Sequence, residues 1–366
     1  MDPRVREHAQ LIADAVNLAT GDEFLIKSEP PADDLVTALY EVAGERGAHP
    51  LAIRTNRSGR AMRAYLNAAD ESGVEFETPA HQRALVEAAD CHAIIRGHEN
   101  VTELGDVDPD VNSAYEKAHG PILEERLGDR WTLTQHPTTA NAQLAEMSIE
   151  SYENFVYDAI LKDWDEQAEF QAQLVEVLDD AEEVRIVSGA STDVTMSIAG
   201  NHAINDTDSH NLPGGEVFTA PVPDSVSGDV HFDKPVYRRG REITDVRLTF
   251  EEGEVVSHEA EKNEELLTTI LDTDAGARRL GELGIGMNRD IDHFSYNMLF
   301  DEKMGDTVHM AVGRAYDDNV GEGNEQNQSA QHVDMIVDMS EDSRIEVDGE
   351  IVQRDGTFRF EDGFEG

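Results

Sequence analysis

The sequence contains almost no cysteine and no long apolar segment. Its single cysteine, Cys91, excludes a disulfide within the chain and disfavours a metal site built on thiolates. No stretch approaches about 18 uninterrupted apolar residues, the length that indicates a membrane-spanning helix. The opening residues, MDPRVREHAQ, contain no apolar signal region. These absences predict a soluble protein of the cytoplasm.

Basic residues are scarce as well. The chain of 366 residues has 29 Lys and Arg residues against 77 Asp and Glu residues, which gives a net charge of −48, and only six of the basic residues are lysines. The acidic residues extend along the whole chain, which argues against an acidic tail. They also form no separate helical array of the kind that mimics nucleic acid.

The negative charge indicates a salt-rich environment and excludes negatively charged partners. At about 1 M salt the Debye length falls to about 3 Å, so that closely spaced carboxylates repel one another far less. A high net charge then keeps the protein soluble. The composition predicts adaptation to concentrated salt, and it excludes DNA, RNA and anionic membrane surfaces as partners because all of them would be repelled.

The first half of the chain alternates between helical and strand patterns. The predicted helices cover residues 5–18, 33–45 and 80–89. The predicted strands, each a short apolar run, cover residues 24–26, 50–53 and 92–95. Alternating units of this length predict a parallel sheet with covering helices. No GxGxxG motif follows the first strand, so a dinucleotide site is not indicated.

The pattern changes after a mainly helical stretch at about 140–180. Short strands and turns then dominate, with strands at 184–187, 193–198 and 246–250, one helix at 263–271 and hairpins at 344–360. We therefore place a boundary near residue 180. The expected fold class is α/β, with a parallel-sheet α/β domain over 1–180 and a mixed α+β domain over 181–366.

The segment Gln331–Met339 alternates throughout between polar and apolar residues. As a strand, it would place His332 and Asp334 on one face and Val333 on the other. Neighbours on one face lie roughly 7 Å apart, so an imidazole and a carboxylate can converge on one metal ion. An edge strand with a polar, solvent-facing side would produce the same pattern, and a His-x-Asp motif alone does not decide between the two.

The segment Thr307–Gly313 alternates too. His309, Ala311 and Gly313 would share one face, where the small residues leave room beside the imidazole for an ion or a substrate. A buried histidine with ordinary hydrogen-bond partners is the alternative. Glu302 precedes His309 by seven residues, and Tyr316 follows it by seven.

Two glutamates have unusual settings. Glu216 follows the turn Pro213-Gly-Gly, where Gly215 permits a close backbone approach or a positive φ. A solvated turn residue is the alternative for Glu216. Glu282 lies among glycines in a short apolar stretch, where a carboxylate needs a partner. Carboxylates and imidazoles without thiolates suit zinc, manganese, cobalt or iron, and this number of them suffices for two ions.

Four long motifs occur together and in order. They are NLPGGEVFTAP (211–221), GELGIGMN (281–288), DEKMGDTVH (301–309) and NQSAQHVDMI (327–336). The chain resembles the M29 metallopeptidases, the thermophilic aminopeptidase T family, over nearly its whole length. The resemblance implies two domains, a metal-binding C-terminal domain, a homodimer and the removal of N-terminal residues from short peptides.

The resemblance also implies the site residues and the cofactors. The metal ligands would be Glu216, Glu282, His309, His332 and Asp334, with Glu282 as the bridge between two divalent ions of zinc, cobalt or manganese. Glu302 is a further candidate ligand. Tyr316 matches the active-site tyrosine of the family, and its phenol could donate a hydrogen bond to the oxyanion of the tetrahedral intermediate.

Two other functions remain open at this stage. Single-iron dioxygenases that open hydroxypyridine rings are similar to this family and keep one His and the His-x-Asp ligands, but not the whole two-metal set. A metal-free acidic binding protein would retain no metal and would not respond to chelators. Metal content separates the three hypotheses.

Overall fold

The computed structural model describes residues 2–54, 59–238 and 241–366, and two compact units divide the chain. The helices are α1 (Pro3–Ala15), α2 (Asp33–Arg46), α3 (Arg60–Ser72), α4 (Ala80–Glu87), α5 (Pro109–Leu127), α6 (Thr139–Leu144), α7 (Ile149–Ile160), α8 (Trp164–Asp179), α9 (Glu264–Leu271) and α10 (Met298–Asp301). The strands are β1 (Glu23–Ser28), β2 (His49–Arg54), β3 (Cys91–Arg96), β4 (Arg130–Gln135), β5 (Glu183–Ser188), β6 (Thr192–Ser197), β7 (Ile204–Asp206), β8 (Asn211–Leu212), β9 (Glu216–Thr219), β10 (Ser227–Phe232), β11 (Val236–Arg238), β12 (Arg241–Ile243), β13 (Val246–Glu251), β14 (Glu254–Glu259), β15 (Leu280–Gly286), β16 (Thr307–Gly313), β17 (His332–Asp338), β18 (Ser343–Val347), β19 (Glu350–Arg354) and β20 (Thr357–Phe358).

The first unit consists of Met1–Lys162 and Asp208–Gly214. Its sheet has the strand order β2-β1-β3-β4-β8, and all of its neighbouring strands are parallel. The apolar runs predicted as strands are β1, β2 and β3, and the predicted helix at 33–45 is α2. The parallel-sheet α/β architecture predicted for the N-terminal half is therefore confirmed.

The second unit consists of Asp163–Thr207 and Gly215–Gly366. One antiparallel sheet has the order β14-β13-β10-β6-β5-β18-β19-β20 and a second has the order β17-β16-β15-β9-β7. Apolar side chains from both sheets form one core, including Val194 and Met196 from β6 and Val308 and Met310 from β16. The second sheet, which we call the site sheet, thus directs one face into this core and keeps the other for polar side chains.

The units divide at a different place from the boundary predicted near residue 180. Helix α8 belongs to the second unit because it packs on the site sheet: Nε2 of Gln171 donates to the backbone oxygens of Asp206 and Glu216 at 3.0 and 2.9 Å. The change of pattern in the sequence marks the first strand after this helix, not the helix itself. Within the described residues, no helix has the length and apolar character needed to cross a bilayer.

Candidate metal centre

Four strands of the site sheet carry the five residues predicted as metal ligands. Glu216 begins β9, Glu282 lies in β15, His309 lies in β16, and His332 and Asp334 lie in β17. The predicted alternation of β16 and β17 is confirmed, since the apolar residues of both strands enter the core of the unit. The polar residues consequently share the opposite face.

The strand register sets small residues beside the predicted ligands. Gly284 pairs with His309, Ala311 pairs with Asp334, and Gly313 pairs with His332. A Cβ atom on Gly284 would lie 2.0 Å from Cε1 of His309, so only glycine leaves space for this imidazole. Gly284 of the neighbouring strand therefore leaves the space that the imidazole of His309 occupies.

The turn before Glu216 has the predicted geometry. Gly215 has a φ of +116°, and a Cβ atom there would lie 2.4 Å from Cβ of Asn288. Glycine is needed on both grounds, because other residues rarely adopt this φ. Glu216 is buried, so a solvated turn residue is excluded.

Glu216, Glu282 and His309 form what we call the inner cluster. One possible ligand atom from each of these buried side chains lies within 4.8 Å of the other two. His309 Nε2 is 3.0 Å from Glu282 Oε1 and 3.3 Å from Glu216 Oε2. Three side chains from three strands thus converge on one point.

Glu282, His332 and Asp334 form what we call the outer cluster, which meets the same 4.8 Å criterion. His332 Nε2 is 3.3 Å from Asp334 Oδ1 and 3.8 Å from Glu282 Oε2. The other ring nitrogen of His332, Nδ1, donates to the backbone oxygen of Arg314 at 2.8 Å. A hydrogen bond of this kind fixes the ring so that Nε2 faces the cluster, as is usual for histidine ligands.

The two clusters perturb the pKa values of their members. Burial raises the pKa of Glu216 to about 8, although Lys303 and His309 act in the opposite direction. Burial would lower the pKa of His309, but the hydrogen bond with Glu282 and the charge of Glu216 raise it to about 9. His332 likewise has a pKa raised to about 10, mainly by Asp334 against the effect of burial. Perturbations of this size concentrate at functional sites.

These residues fit a divalent metal ion. Glu216 Oε2, Glu282 Oε2 and Asp334 Oδ1 are buried and make no hydrogen bond to any residue that the structure describes. Carboxylate oxygens buried in this way are costly unless a cation or a donor satisfies them. The donor set of carboxylates and imidazoles suits zinc, cobalt or manganese.

The remaining predicted residues lie beside the clusters. Glu302 belongs to neither cluster, and its Oε1 accepts a hydrogen bond from the adjacent Lys303. The Tyr316 ring packs against the His332 ring, with centroids 5.0 Å apart, and about half of Tyr316 is exposed. Partial burial and the charges of Glu282 and Asp334 raise the pKa of this phenol above its usual range.

The sequence analysis did not identify Lys303 as part of the site. Its side chain is completely buried, and its Nζ lies 2.9 Å from Glu216 Oε1 and 3.6 Å from Asp206 Oδ2. The burial of an ammonium group lowers its pKa, but Glu216, Glu302 and Asp206 together raise the pKa of Lys303 well above its usual value. One signal was available, because lysine is rare in this chain and Lys303 adjoins Glu302.

Comparison with known proteins identifies relatives along the whole chain. Aminopeptidase 2 of Geobacillus stearothermophilus is 28% identical, over 93% of this chain and 92% of its own. The structure of wild-type AmpT from Thermus thermophilus matches with a TM-score of 0.84 and 25% identity, over 98% of this chain and 99% of its own.

A second solved structure shares the fold alone. The 2,5-dihydroxypyridine dioxygenase from Pseudomonas putida KT2440 matches with a TM-score of 0.59 and 18% identity, over 97% of each chain. A family model described as "Thermophilic metalloprotease (M29)" matches residues 1–362. The chain therefore belongs to the M29 family of metalloproteases, as its four motifs predicted.

Proposed function

We propose that this metallo-aminopeptidase removes N-terminal residues from short peptides with two divalent cations held side by side. The observation that carries the proposal is the position of Glu282 between the clusters. Its Oε1 is 3.0 Å from His309 of the inner cluster, and its Oε2 is 3.8 Å from His332 of the outer cluster. One carboxylate that faces two ligand sets is what a bridging ligand requires.

Each residue then has a distinct role in holding the ions. Glu216 and His309 would bind the inner ion, His332 and Asp334 would bind the outer ion, and Glu282 would bind both. Zinc, cobalt or manganese bound there would lower the pKa of a shared water molecule and polarise the scissile carbonyl.

Two neighbouring side chains supply proton transfer and hydrogen bonding. We assign Glu302 as the proton acceptor, because it lies outside both clusters while Lys303 holds it beside Glu216. Tyr316 donates a hydrogen bond to the developing oxyanion. Its raised pKa supports this role, because the phenol then keeps its proton throughout the working pH range.

The alternative function is a ring-cleaving dioxygenase with one iron ion. The fold likeness to the Pseudomonas enzyme is compatible with it, but the match to the metalloprotease family favours the peptidase. The inner cluster also favours the peptidase, because a single-iron enzyme has no use for a second buried ligand set. Two divalent ions per chain support the peptidase, whereas one oxygen-sensitive Fe(II) supports the dioxygenase.

The first test is the hydrolysis of leucyl-p-nitroanilide in multimolar KCl, the condition that the net charge of −48 favours. We expect activity to be lost on chelation and restored by cobalt, zinc or manganese. A folded protein that hydrolyses nothing with any of these metals would exclude the aminopeptidase, and oxygen uptake with Fe(II) and a hydroxypyridine would be measured next. A cytoplasmic location and a homodimer stay predictions.

A further inference from the structure

Lys303 is a buried cation surrounded by three carboxylates, one of which, Glu216, belongs to the inner cluster. Its side chain has no exposed surface, and its ammonium group contacts Glu216, Glu302 and Asp206. Lys303 was not among the site residues predicted from the sequence. Its positive charge is therefore held at hydrogen-bond distance from Glu216, a proposed metal ligand.

The contacts of Lys303 divide the two oxygens of Glu216 between different partners. Oε1 accepts a hydrogen bond from Lys303 Nζ at 2.9 Å. Oε2 lies 3.3 Å from His309 Nε2 and has no hydrogen bond from any described residue. Glu216 is thus arranged to offer one oxygen to the inner cluster, not two. Glu302 is held in the same way, because its Oε1 also accepts a hydrogen bond from Lys303.

We propose that Lys303 is a positioning residue that limits the number of carboxylate oxygens available to the inner metal ion. It occupies one oxygen of Glu216, and it keeps Glu302 out of the ligand set and free for proton transfer. The inference rests on the proposed function and extends it to a residue with no assigned role.

The removal of this ammonium group would change the inner ion in two ways that act together. The ion would lose a nearby positive charge, which repels it, and it would gain access to further carboxylate oxygens. Both changes strengthen metal binding. Both also weaken catalysis, because an ion with more anionic ligands polarises its water less and Glu302 is no longer held in place.

The experiment compares the wild-type chain with Lys303→Met, whose unbranched side chain is one atom shorter and has no charge. Lys234→Met is the matched control, because Lys234 forms a partly buried ion pair with Asp338 at 2.8 Å and neither residue belongs to a cluster. Cobalt content, the dissociation constant of each cobalt ion against a competing chelator, the visible cobalt spectrum, kcat and KM are measured for all three proteins.

We expect Lys303→Met to bind one of its two cobalt ions at least about tenfold more tightly and to show the weaker absorption of a higher coordination number. Its kcat should fall by at least about tenfold while KM changes little. Lys234→Met should match the wild type in every measurement. Unchanged cobalt affinity and spectrum in folded Lys303→Met would overturn the proposal.

A second variant tests the same claim if Lys303→Met does not fold. In Glu302→Gln, the visible cobalt spectrum should equal that of the wild type, because Lys303 already prevents Glu302 from binding the metal, although the loss of a nearby negative charge should weaken cobalt binding slightly. A changed cobalt spectrum would identify Glu302 as a ligand and overturn the proposal. Wild-type protein that binds two cobalt ions but hydrolyses no peptide would refute the aminopeptidase, and the affinities and spectra of the variants would still decide the role of Lys303.

Discussion

His8 of the first unit and His309 of the second are both completely buried, but their ionisation is opposite. Burial, assisted by the nearby His136, lowers the pKa of His8 to about 3. The carboxylates of the inner cluster raise the pKa of His309 to about 9. His8 is therefore neutral at pH 7, whereas His309 carries a proton in the absence of metal.

The difference comes from the partners of the two rings. His8 Nε2 lies 2.8 Å from Thr134 Oγ1, and that hydroxyl donates its own proton to the backbone oxygen of Leu212 at 2.7 Å. Thr134 must therefore accept from His8, so the neutral ring carries its proton on Nε2. His309 faces Glu282 and Glu216 instead. Burial alone therefore does not determine the charge of a histidine. A buried histidine that stays protonated indicates a cluster of buried carboxylates, which is typical of a functional site.

The largest effect should follow from Glu282→Gln, which makes the surroundings of His309 more like those of His8. The neutral amide keeps the shape of the side chain but cannot bridge two cations. We expect fewer than two metal ions per chain, and a fall in kcat/KM of at least about 1000-fold, equivalent to about 4 kcal/mol of transition-state stabilisation. Metal analysis and leucyl-p-nitroanilide kinetics measure both.

The control for this variant is Glu254→Gln, which changes an exposed glutamate in the same unit. It should retain full metal content and activity. Full metal content in Glu282→Gln would contradict the bridging role.

A smaller effect should follow from Gly284→Ala. The new methyl group would lie 2.0 Å from Cε1 and 2.1 Å from Nε2 of His309, so the imidazole must move away from the inner cluster. We expect a loss of stability of about 1–3 kcal/mol, typical of overpacking in a core, together with loss of one metal ion. Denaturant unfolding and metal analysis measure the two effects.

Gly44→Ala is the matched control, because a Cβ atom at this helical position would meet no atom within 4 Å. It should leave metal content unchanged. If Gly284→Ala binds two metal ions with wild-type affinity, the position of His309 does not matter for the inner cluster.

The smallest effect concerns His8. Its folded-state pKa of about 3 lies below the ordinary value of 6.5, so below pH 6.5 the unfolded chain binds a proton that the folded chain does not. Stability therefore falls as the pH falls from 6.5 towards 3, by about 2 kcal/mol at pH 5. We expect hydrogen exchange of the β1 and β4 amides to accelerate accordingly between pH 7 and pH 5, after correction for the intrinsic exchange rate.

The control here is His8→Gln, whose amide can still donate to Thr134 but does not titrate. It should lack this part of the pH dependence. The same pH dependence in both proteins would mean that His8 accepts a proton while folded.

The strands of the site could be predicted from the sequence, because one of their faces is apolar. Alternation alone predicted β16 within Thr307–Gly313 and β17 within Gln331–Met339, and the described strands confirm both. The special role of Gly215 before Glu216 was also predictable, because a tight turn restricts the type of residue that it can contain. These features depend on neighbours in sequence.

The convergence of the side chains could not be derived in this way. It depends on register, such as the pairing of Gly284 with His309, and register is set by contacts between distant segments. The motifs supplied the ligand set only through family resemblance. Asp338 illustrates the difficulty: it shares the alternation of β17, but its partner is Lys234 and it belongs to neither cluster.

The first unit contains elements that the sequence patterns did not indicate. Helix α5 includes Gly120 and Pro121, residues that normally interrupt a helix, and no helix was predicted there. Strand β8 is only two residues long and joins the sheet of the first unit from within the sequence of the second. Neither the pairing of β8 nor the tolerance of α5 for proline is encoded by local periodicity.

The distribution of the ligands over four strands has a consequence for assembly of the protein. Residues from Glu216 to Asp334 meet only after β9, β15, β16 and β17 have paired in register. A chain in which none of these strands has paired would bring together at most the neighbours His332 and Asp334. Stoichiometric metal uptake would thus count the correctly folded molecules in a preparation, even before any substrate is known.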